Sequence, residues 1–175
     1  MFKNQKVLET IIFDVDGVFT DGSFYYNSSG KVLKKFGAHD GDGIKFLRFL
    51  GLKVYSVTAD QRGFDISKSR MSDLDIELKL VSEENRFKYV SNNFSLSKTA
   101  FMGDGIFDAK ILSNVECGIA TMNASRAAKT SAKFITKSSG GSGAVFEAAF
   151  LIGKQYFPDM FSEFVKRYDL NETDF

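Results

Sequence analysis

The sequence predicts an α/β fold in which helices cover both faces of a parallel sheet. Short apolar runs alternate with helix-like segments along the chain, which is the pattern of parallel strands joined by crossover helices. The clearest run, Val7 to Phe13, is mostly apolar and β-branched, as expected for a strand buried on both faces. Three strand-like runs end in small polar clusters, and the carboxyl ends of parallel strands share one edge of a sheet. A site at that edge is therefore expected.

The remaining elements follow in order along the chain. Two β-prone runs flank the turn signal Asn27 to Gly30 and predict a hairpin over residues 24–36. Further strands are predicted at 53–57, 76–80, 99–102, 115–120 and 133–135, and helices at 44–50, 62–71, 83–93, 108–112, 124–130, 144–157 and 160–168. This order predicts a Rossmann-like parallel sheet with a small hairpin insertion.

Length and composition limit the possible classes of protein. The 175 residues fit one domain, 1–175, with a tail over 158–175. A net charge of +1 argues against a nucleic-acid partner, and the absence of an apolar run of about 20 residues argues against a membrane span. Because Met1 to Lys6 shows no signal-peptide pattern, we expect a cytoplasmic location. With a single cysteine and a single histidine, any catalysis must rest on carboxylates, hydroxyls, lysines, arginines and backbone groups.

Three polar clusters are the candidate site: Asp14-Val15-Asp16-Gly17, Thr58-Ala59-Asp60, and Gly103 to Asp108. Carboxylates gathered at one sheet edge repel each other, by roughly 1 kcal/mol at 4 Å in water and about 4 kcal/mol at an effective dielectric of 20. A hard divalent cation removes that penalty and prefers oxygen ligands. Asp14, Asp16 and Asp104 therefore predict a Mg²⁺ site. The alternative is that each Asp serves only as a turn or helix-cap residue.

A metal beside an unprotonated Asp suits phosphoryl transfer, because the cation offsets the charge of the phosphate as an anionic nucleophile approaches. An Asp can form an aspartyl-phosphate that water then hydrolyses. A second Asp two residues further on can give a proton to the leaving oxygen and take one from water. The Thr58 hydroxyl and the loop amides can donate to the transferring oxygens.

The segment Phe13 to Gly22 resembles the first motif of the haloacid dehalogenase-like phosphatases. More closely, it resembles the branch that contains the 3-deoxy-D-manno-octulosonate (KDO) 8-phosphate phosphatases and the nonulosonate 9-phosphate phosphatases. The resemblance extends to about Phe157 and includes the hairpin, His39 to Gly43, Thr58, residues 103–108 and the glycine loop 140–145. It implies a Mg²⁺-dependent phosphatase that acts on KDO 8-phosphate or a related nonulosonate phosphate.

The resemblance also implies a role for each matching residue. Asp14 would be the nucleophile, Asp16 the general acid/base and Thr58 a donor to the phosphate. The metal would be held by the Asp14 carboxylate, the Asp16 backbone carbonyl and Asp104, with Asp108 orienting its water shell. Contacts to the substrate would come from Gly17, Thr58, Ala59, His39, Asp40 and the late glycine loop. The branch has no large cap domain, and its hairpin builds a homotetramer in which neighbouring subunits close each other's sites.

The sequence departs from the family pattern where cations are usual. The family has a Lys at the start of the helix before the third strand, but Glu83 stands there; of the nearby cations Lys79, Arg86 and Lys88, we choose Arg86 as the substitute. Ala59 and Asp60 stand where a Gly or Ser and then an Arg are usual, and Ser142 stands in the glycine loop where an Arg is common. These losses predict weaker recognition of an anionic sugar acid.

Other readings of the same residues remain open. The missing cations favour, as the alternative, a catalytically weak or silent metal-binding module for oligomerisation or regulation. A sugar-phosphate mutase is disfavoured because no large cap would exclude water. His39 is either a substrate contact or a plain loop residue. The lysines Lys31, Lys34 and Lys35 are typical of a solvated strand face, although they could line a subunit contact.

Overall fold

The computed structural model describes residues 8–171. Its strands are β1 (Thr10–Asp14), β2 (Tyr25–Asn27), β3 (Gly30–Leu33), β4 (Lys53–Thr58), β5 (Glu77–Leu80), β6 (Thr99–Gly103), β7 (Cys117–Ala120) and β8 (Phe134–Ile135). Its helices are α1 (Asp40–Phe49), α2 (Phe64–Asp73), α3 (Glu83–Asn93), α4 (Ala109–Leu112), α5 (Arg126–Ser131), α6 (Ala144–Tyr156) and α7 (Pro158–Arg167). Each predicted strand and helix is present, α3 with the predicted bounds and the others with shifted ends; Val7, in the first predicted strand, lies outside the described residues.

Six strands form one parallel sheet in the order β5-β4-β1-β6-β7-β8. The chain moves outward from β1 through β4 to β5, then crosses back to β6 and moves outward on the other side through β7 to β8, so the topological switch point lies between β1 and β6. Ligands in doubly wound sheets bind at such a switch point, beyond the carboxyl ends of the strands. The predicted Rossmann-like fold class is confirmed.

Helices cover both faces because successive side chains of a buried strand point to opposite sides. Ile11 and Phe13 of β1 join one core cluster, and Ile12 between them joins the other. In the first cluster α1 packs against α6 and α7, with the Phe46 ring stacked on Phe150 at a centroid distance of 4.3 Å. Two apolar cores therefore pack against opposite faces of the sheet.

The hairpin of β2 and β3 lies outside this sheet, as predicted, and no large cap is present among residues 8–171. The prediction of a solvated lysine face is wrong for two of its three lysines. Lys35 has a side chain 57% exposed, whereas those of Lys31 and Lys34 are 4% and 0% exposed. Their ammonium groups pair with the carboxylates of Asp16 and Asp60 at the sheet edge. The local sequence pattern does not predict these contacts.

Helix α1 begins at Asp40, earlier than the predicted Ile44, and His39 is its N-cap residue. Asp40 and Asp42 both lie in the first turn, where the helix dipole favours negative charge. Within the described range, no helix has the length and apolar character needed to cross a membrane. The assignment of residues 1–175 to a single domain stays a prediction.

The buried Asp40 predicts a pH-dependent stability. Its burial raises its pKa from 3.8 to about 7, against the opposing charge of Arg70. Between about pH 4 and pH 7 the folded state therefore keeps a proton on Asp40 that the unfolded chain has released. The free energy of unfolding falls as pH rises through this range. We expect the free energy of unfolding of Asp40→Asn, relative to that of the wild type, to rise by about 2–3 kcal/mol from pH 5 to pH 8. Urea unfolding at each pH measures this difference. Asp42→Asn, on the same turn but exposed, should show no such trend; a pH-independent difference for Asp40→Asn would contradict this explanation.

Candidate active site

The carboxyl ends of β1, β4 and β6 open into a cavity of about 770 Å³. All three predicted polar clusters contribute to its wall, which also receives residues from the hairpin and α3. Its lining includes Asp14, Asp16, Gly17, Ala59, Asp60, Asp104, Asp108, Lys31, Phe24, Glu83, Glu84 and Arg86. Strands distant in the sequence thus bring the predicted carboxylates together.

Asp14, the last residue of β1, is 6% exposed and fixed by two donors. The Val15 amide donates to its Oδ1 at 2.8 Å, and Nη1 of Arg86 lies 2.9 Å from its Oδ2. Burial raises the pKa of Asp14 well above its ordinary value, the Arg86 guanidinium opposes that shift, and Asp108 and Asp104 add to it. Arg86 therefore favours the ionised form that a nucleophile needs.

Asp104 and Asp108 complete an acidic group around the same point. Asp14, Asp104 and Asp108 can each offer a carboxylate oxygen within 4.8 Å of the others. Asp108 accepts from Nη1 of Arg86 at 2.7 Å through one oxygen and from the amide of Gly105 at 2.9 Å through the other. Burial, and next the charge of Asp108, raise the pKa of Asp104 to about 7. Carboxylate oxygens held this close together repel each other, and a divalent cation bound between them would offset that repulsion.

Asp16 belongs to a second ionic group, formed with the hairpin and the loop after β4. Nζ of Lys34 lies 2.7 Å from its Oδ1, and the Thr58 hydroxyl donates to its Oδ2 at 3.2 Å. Thr58 is fully buried and its hydroxyl also accepts from the Asp60 amide. In this structure the Thr58 hydroxyl thus serves Asp16 and the loop after β4.

Asp60 stands where a cation was expected and is itself held by two cations. Its carboxylate binds Nζ of both Lys31 and Lys34. Burial would raise the pKa of Asp60, but the hydrogen bonds from Lys31 and Lys34 outweigh it and lower that pKa to about 2. Sequence reasoning missed both lysines as site residues; the acidic residue at position 60 was the one signal that a cation had to come from elsewhere.

His39 and Asp40 do not line the cavity beside Asp14. His39 borders a separate cavity of about 690 Å³, next to Phe146, and Asp40 is fully buried. The late glycine loop packs on the loop after β1, so closely that a Cβ at Gly140 would lie 2.0 Å from the Gly17 carbonyl oxygen. The glycine loop thus contacts the backbone of the first motif directly, and substrate contacts of this loop, His39 and Asp40 stay predictions.

Comparison with known proteins gives one family and a consistent group of relatives. Residues 53–148 match the family described as haloacid dehalogenase-like hydrolase. The 3-deoxy-D-manno-octulosonate 8-phosphate phosphatase of Haemophilus influenzae is 31% identical over 156 residues, which are 85% of this chain and 86% of that protein.

Solved structures agree with that result. The same kind of phosphatase from Moraxella catarrhalis, in complex with a magnesium ion, a phosphate ion and KDO, superimposes with a TM-score of 0.82 at 27% identity over 94% of each chain. The cobalt-bound form from Haemophilus influenzae gives a TM-score of 0.75 at 27% identity, covering 87% of this chain and 91% of that one.

The close contact between Gly17 and Asp104 predicts that a side chain at position 17 would disturb the metal site. It has φ of +84°, and an added Cβ would lie 2.1 Å from Oδ2 of Asp104. We expect Gly17→Ala to displace Asp104 and to weaken Mg²⁺ or Mn²⁺ binding by about 10-fold or more, measured by titration calorimetry. Gly22→Ala is the matched control, because Gly22 has φ of +81° but its added Cβ would lie 3.8 Å from the nearest atom, Cα of Gly17. Equal affinities for the two variants would contradict the role of Asp104.

Proposed function

Because the chain belongs to the haloacid dehalogenase-like hydrolase family, we propose that it is a Mg²⁺-dependent phosphatase that hydrolyses a small sugar phosphate through an aspartyl-phosphate on Asp14. The predicted enzyme class agrees with the names of the relatives, which are phosphoric monoester hydrolases. One observation carries the proposal: Asp14 lies at the switch point of the sheet, paired with a buried cation and within reach of two further carboxylates. KDO 8-phosphate, the substrate named for these relatives, or a related nonulosonate phosphate is the candidate substrate.

The residues present fit the metal. Asp14, Asp104 and the backbone carbonyl of Asp16 would hold Mg²⁺, and Asp108 would orient its water shell. Both oxygens of Asp108 already accept from Arg86 or from loop amides, which supports an outer position for it. When bound, Mg²⁺ offsets the negative charge shared by the carboxylates and the phosphate.

In the proposed reaction a carboxylate oxygen of Asp14 attacks phosphorus, and the bond from phosphorus to the sugar oxygen breaks. Asp16 gives a proton to that leaving oxygen and later takes one from the water that attacks the aspartyl-phosphate. The second step releases inorganic phosphate and restores Asp14. Gly17 and Ala59 lie on the cavity wall, where the phosphate oxygens would face them.

Arg86 supplies the cation that the family pattern places at Glu83. It lies one turn further along α3, is 4% exposed and contacts both Asp14 and Asp108. Burial alone would lower its pKa, but Asp14 and Asp108 raise it, so the side chain stays charged. The silent-module alternative drew on missing cations, and Arg86 weakens that premise.

The homotetramer and the location complete the proposal. Tyr25, Tyr26 and Leu33 of the hairpin expose about half or more of their side chains, which suits a contact with neighbouring subunits. Assembly through the hairpin, closure of the site by a neighbour and a cytoplasmic location are expectations that follow from the family resemblance.

The covalent mechanism predicts a near-complete loss of activity in Asp14→Asn. An amide cannot act as the nucleophile, so we expect Mg²⁺-dependent phosphate release from KDO 8-phosphate to fall by about 1,000-fold or more. A malachite-green assay with and without Mg²⁺ measures this, and Asp42→Asn on the exposed first turn of α1 is the matched control. Unchanged turnover in Asp14→Asn, or turnover that needs no divalent cation, would refute the mechanism; no release from any sugar phosphate by the wild type would favour the silent module.

Arg86 predicts a graded response to substitution. Arg86→Met removes the cation between Asp14 and Asp108, and we expect a loss of about 100-fold or more in kcat/KM. Arg86→Lys keeps the charge, but the ammonium group does not reproduce the position of Nη1 between Asp14 and Asp108, so an intermediate loss is expected. Lys79→Met, which removes an exposed lysine paired with Glu77, should leave kcat/KM within about twofold. A larger loss of kcat/KM in Lys79→Met than in Arg86→Met would contradict this assignment and give the role of the family lysine to Lys79.

A further inference from the structure

Lys34, the residue after β3, brings a buried ammonium group from the hairpin to the carboxylate of Asp16, which lines the cavity. Its Nζ lies 2.7 Å from Oδ1 and 3.0 Å from Oδ2 of Asp16, so it contacts both oxygens of the proposed general acid/base. The Lys34 side chain is 0% exposed. A cation removed from water to this extent must be paired, and its carboxylate partners are thereby fixed as well.

Groups that do not belong to Asp16 fix the position of Lys34. Its Nζ donates to the Ser67 hydroxyl of α2 at 2.8 Å and lies 2.7 Å from Oδ2 of Asp60. The other oxygen of Asp60 accepts from the Gly63 amide at 3.1 Å. The packing is also tight, since a Cβ at Gly63 would lie 2.7 Å from Cε of Lys34. The ammonium group is therefore held in place independently of Asp16.

Asp16 in turn depends on Lys34. Over residues 8–171, the hydrogen bonds and ion pairs of its carboxylate are those to Lys34 and Thr58. Asp14, two residues earlier, is held instead by Arg86 and the Val15 amide. The two carboxylates of the first motif thus contact different cations, Asp14 one from α3 and Asp16 one from the hairpin.

We propose that Lys34 is a positioning residue that holds the Asp16 carboxylate where it can protonate the leaving oxygen. This inference rests on the proposed function, in which Asp16 is the general acid of the first step. A proton donor must lie within hydrogen-bond reach of its acceptor, and a misplacement of about 1 Å can cost about 100-fold in rate. The hairpin then contributes to the chemistry as well as to assembly.

Dependence on the leaving group separates this role from a purely structural one. A sugar alkoxide needs a proton in order to leave, whereas p-nitrophenolate leaves without one. Because kcat/KM reports the steps up to formation of the aspartyl-phosphate, it isolates the acid role from the later water attack. We compare wild type, Lys34→Met and Asp16→Asn on p-nitrophenyl phosphate and on the sugar phosphate that the wild type hydrolyses fastest, KDO 8-phosphate being the first tried.

We expect Lys34→Met to lower kcat/KM by about 30- to 100-fold for the sugar phosphate and by about threefold or less for p-nitrophenyl phosphate. Asp16→Asn should show the same selective loss on the sugar phosphate. Adding Lys34→Met to Asp16→Asn should cost about threefold or less, because Lys34 acts through Asp16. Lys35→Met, which alters the neighbouring exposed lysine, should leave kcat/KM unchanged for both substrates. Lys34→Gln, an uncharged residue that can still bond to Ser67, replaces Lys34→Met if thermal unfolding shows that variant to be unfolded.

Two failures are distinguishable. If wild type hydrolyses both substrates and Asp16→Asn loses activity selectively on the sugar phosphate, but the Lys34 variant loses both activities equally or neither, the role of Lys34 is overturned and the proposed function stands. If wild type hydrolyses no phosphate ester, the proposed function fails and the role of Lys34 falls with it. Additive losses in the double variant would also overturn it.

Discussion

The organisation of this protein depends on negative charge collected at the carboxyl edge of one sheet. Asp14, Asp16, Asp60, Asp104 and Asp108 all reach the same cavity, and each is buried or partly buried. Arg86, Lys31 and Lys34 bind four of them directly. Among these five aspartates and three cations, two negative charges remain in excess, which is the charge that one divalent cation offsets. Repulsion between the carboxylates, offset by these cations and by a metal, is thus the constraint that the surrounding elements satisfy.

The cations come from elements outside the central strands. Arg86 lies on α3 and bridges Asp14 to Asp108, while the two lysines come from the hairpin and bind Asp16 and Asp60. Breaking one partner of a buried pair costs about 3–5 kcal/mol, because the other charge is left without compensation. The hairpin and α3 are therefore tied to the site by ionic contacts as well as by packing, and a change in either element should be felt at Asp14 or Asp16.

The departures from the family pattern are related to one another by this charge balance. An acidic residue at position 60, where a cation is usual, is accompanied by two hairpin lysines that neutralise it. Glu83 is accompanied by a buried arginine three residues later on the same helix. Both rearrangements keep the cavity's local charges paired while they move the cations, so the loss of a family residue at one position does not imply the loss of its charge.

The sequence by itself determined the alternation of strands and helices, the fold class and the convergence of the aspartates at one edge, because each follows from local patterns and from the rule that parallel strands end on the same side. Only the tertiary structure decided which cation meets Asp14, why Lys34 is buried beside Asp16, and that His39 and Asp40 lie away from the cavity. A lysine three residues from another in a hairpin has the same local pattern whether water or a carboxylate faces it. The difference arises from residues up to 33 positions away in the chain, brought close only when the sheet, hairpin and helices pack.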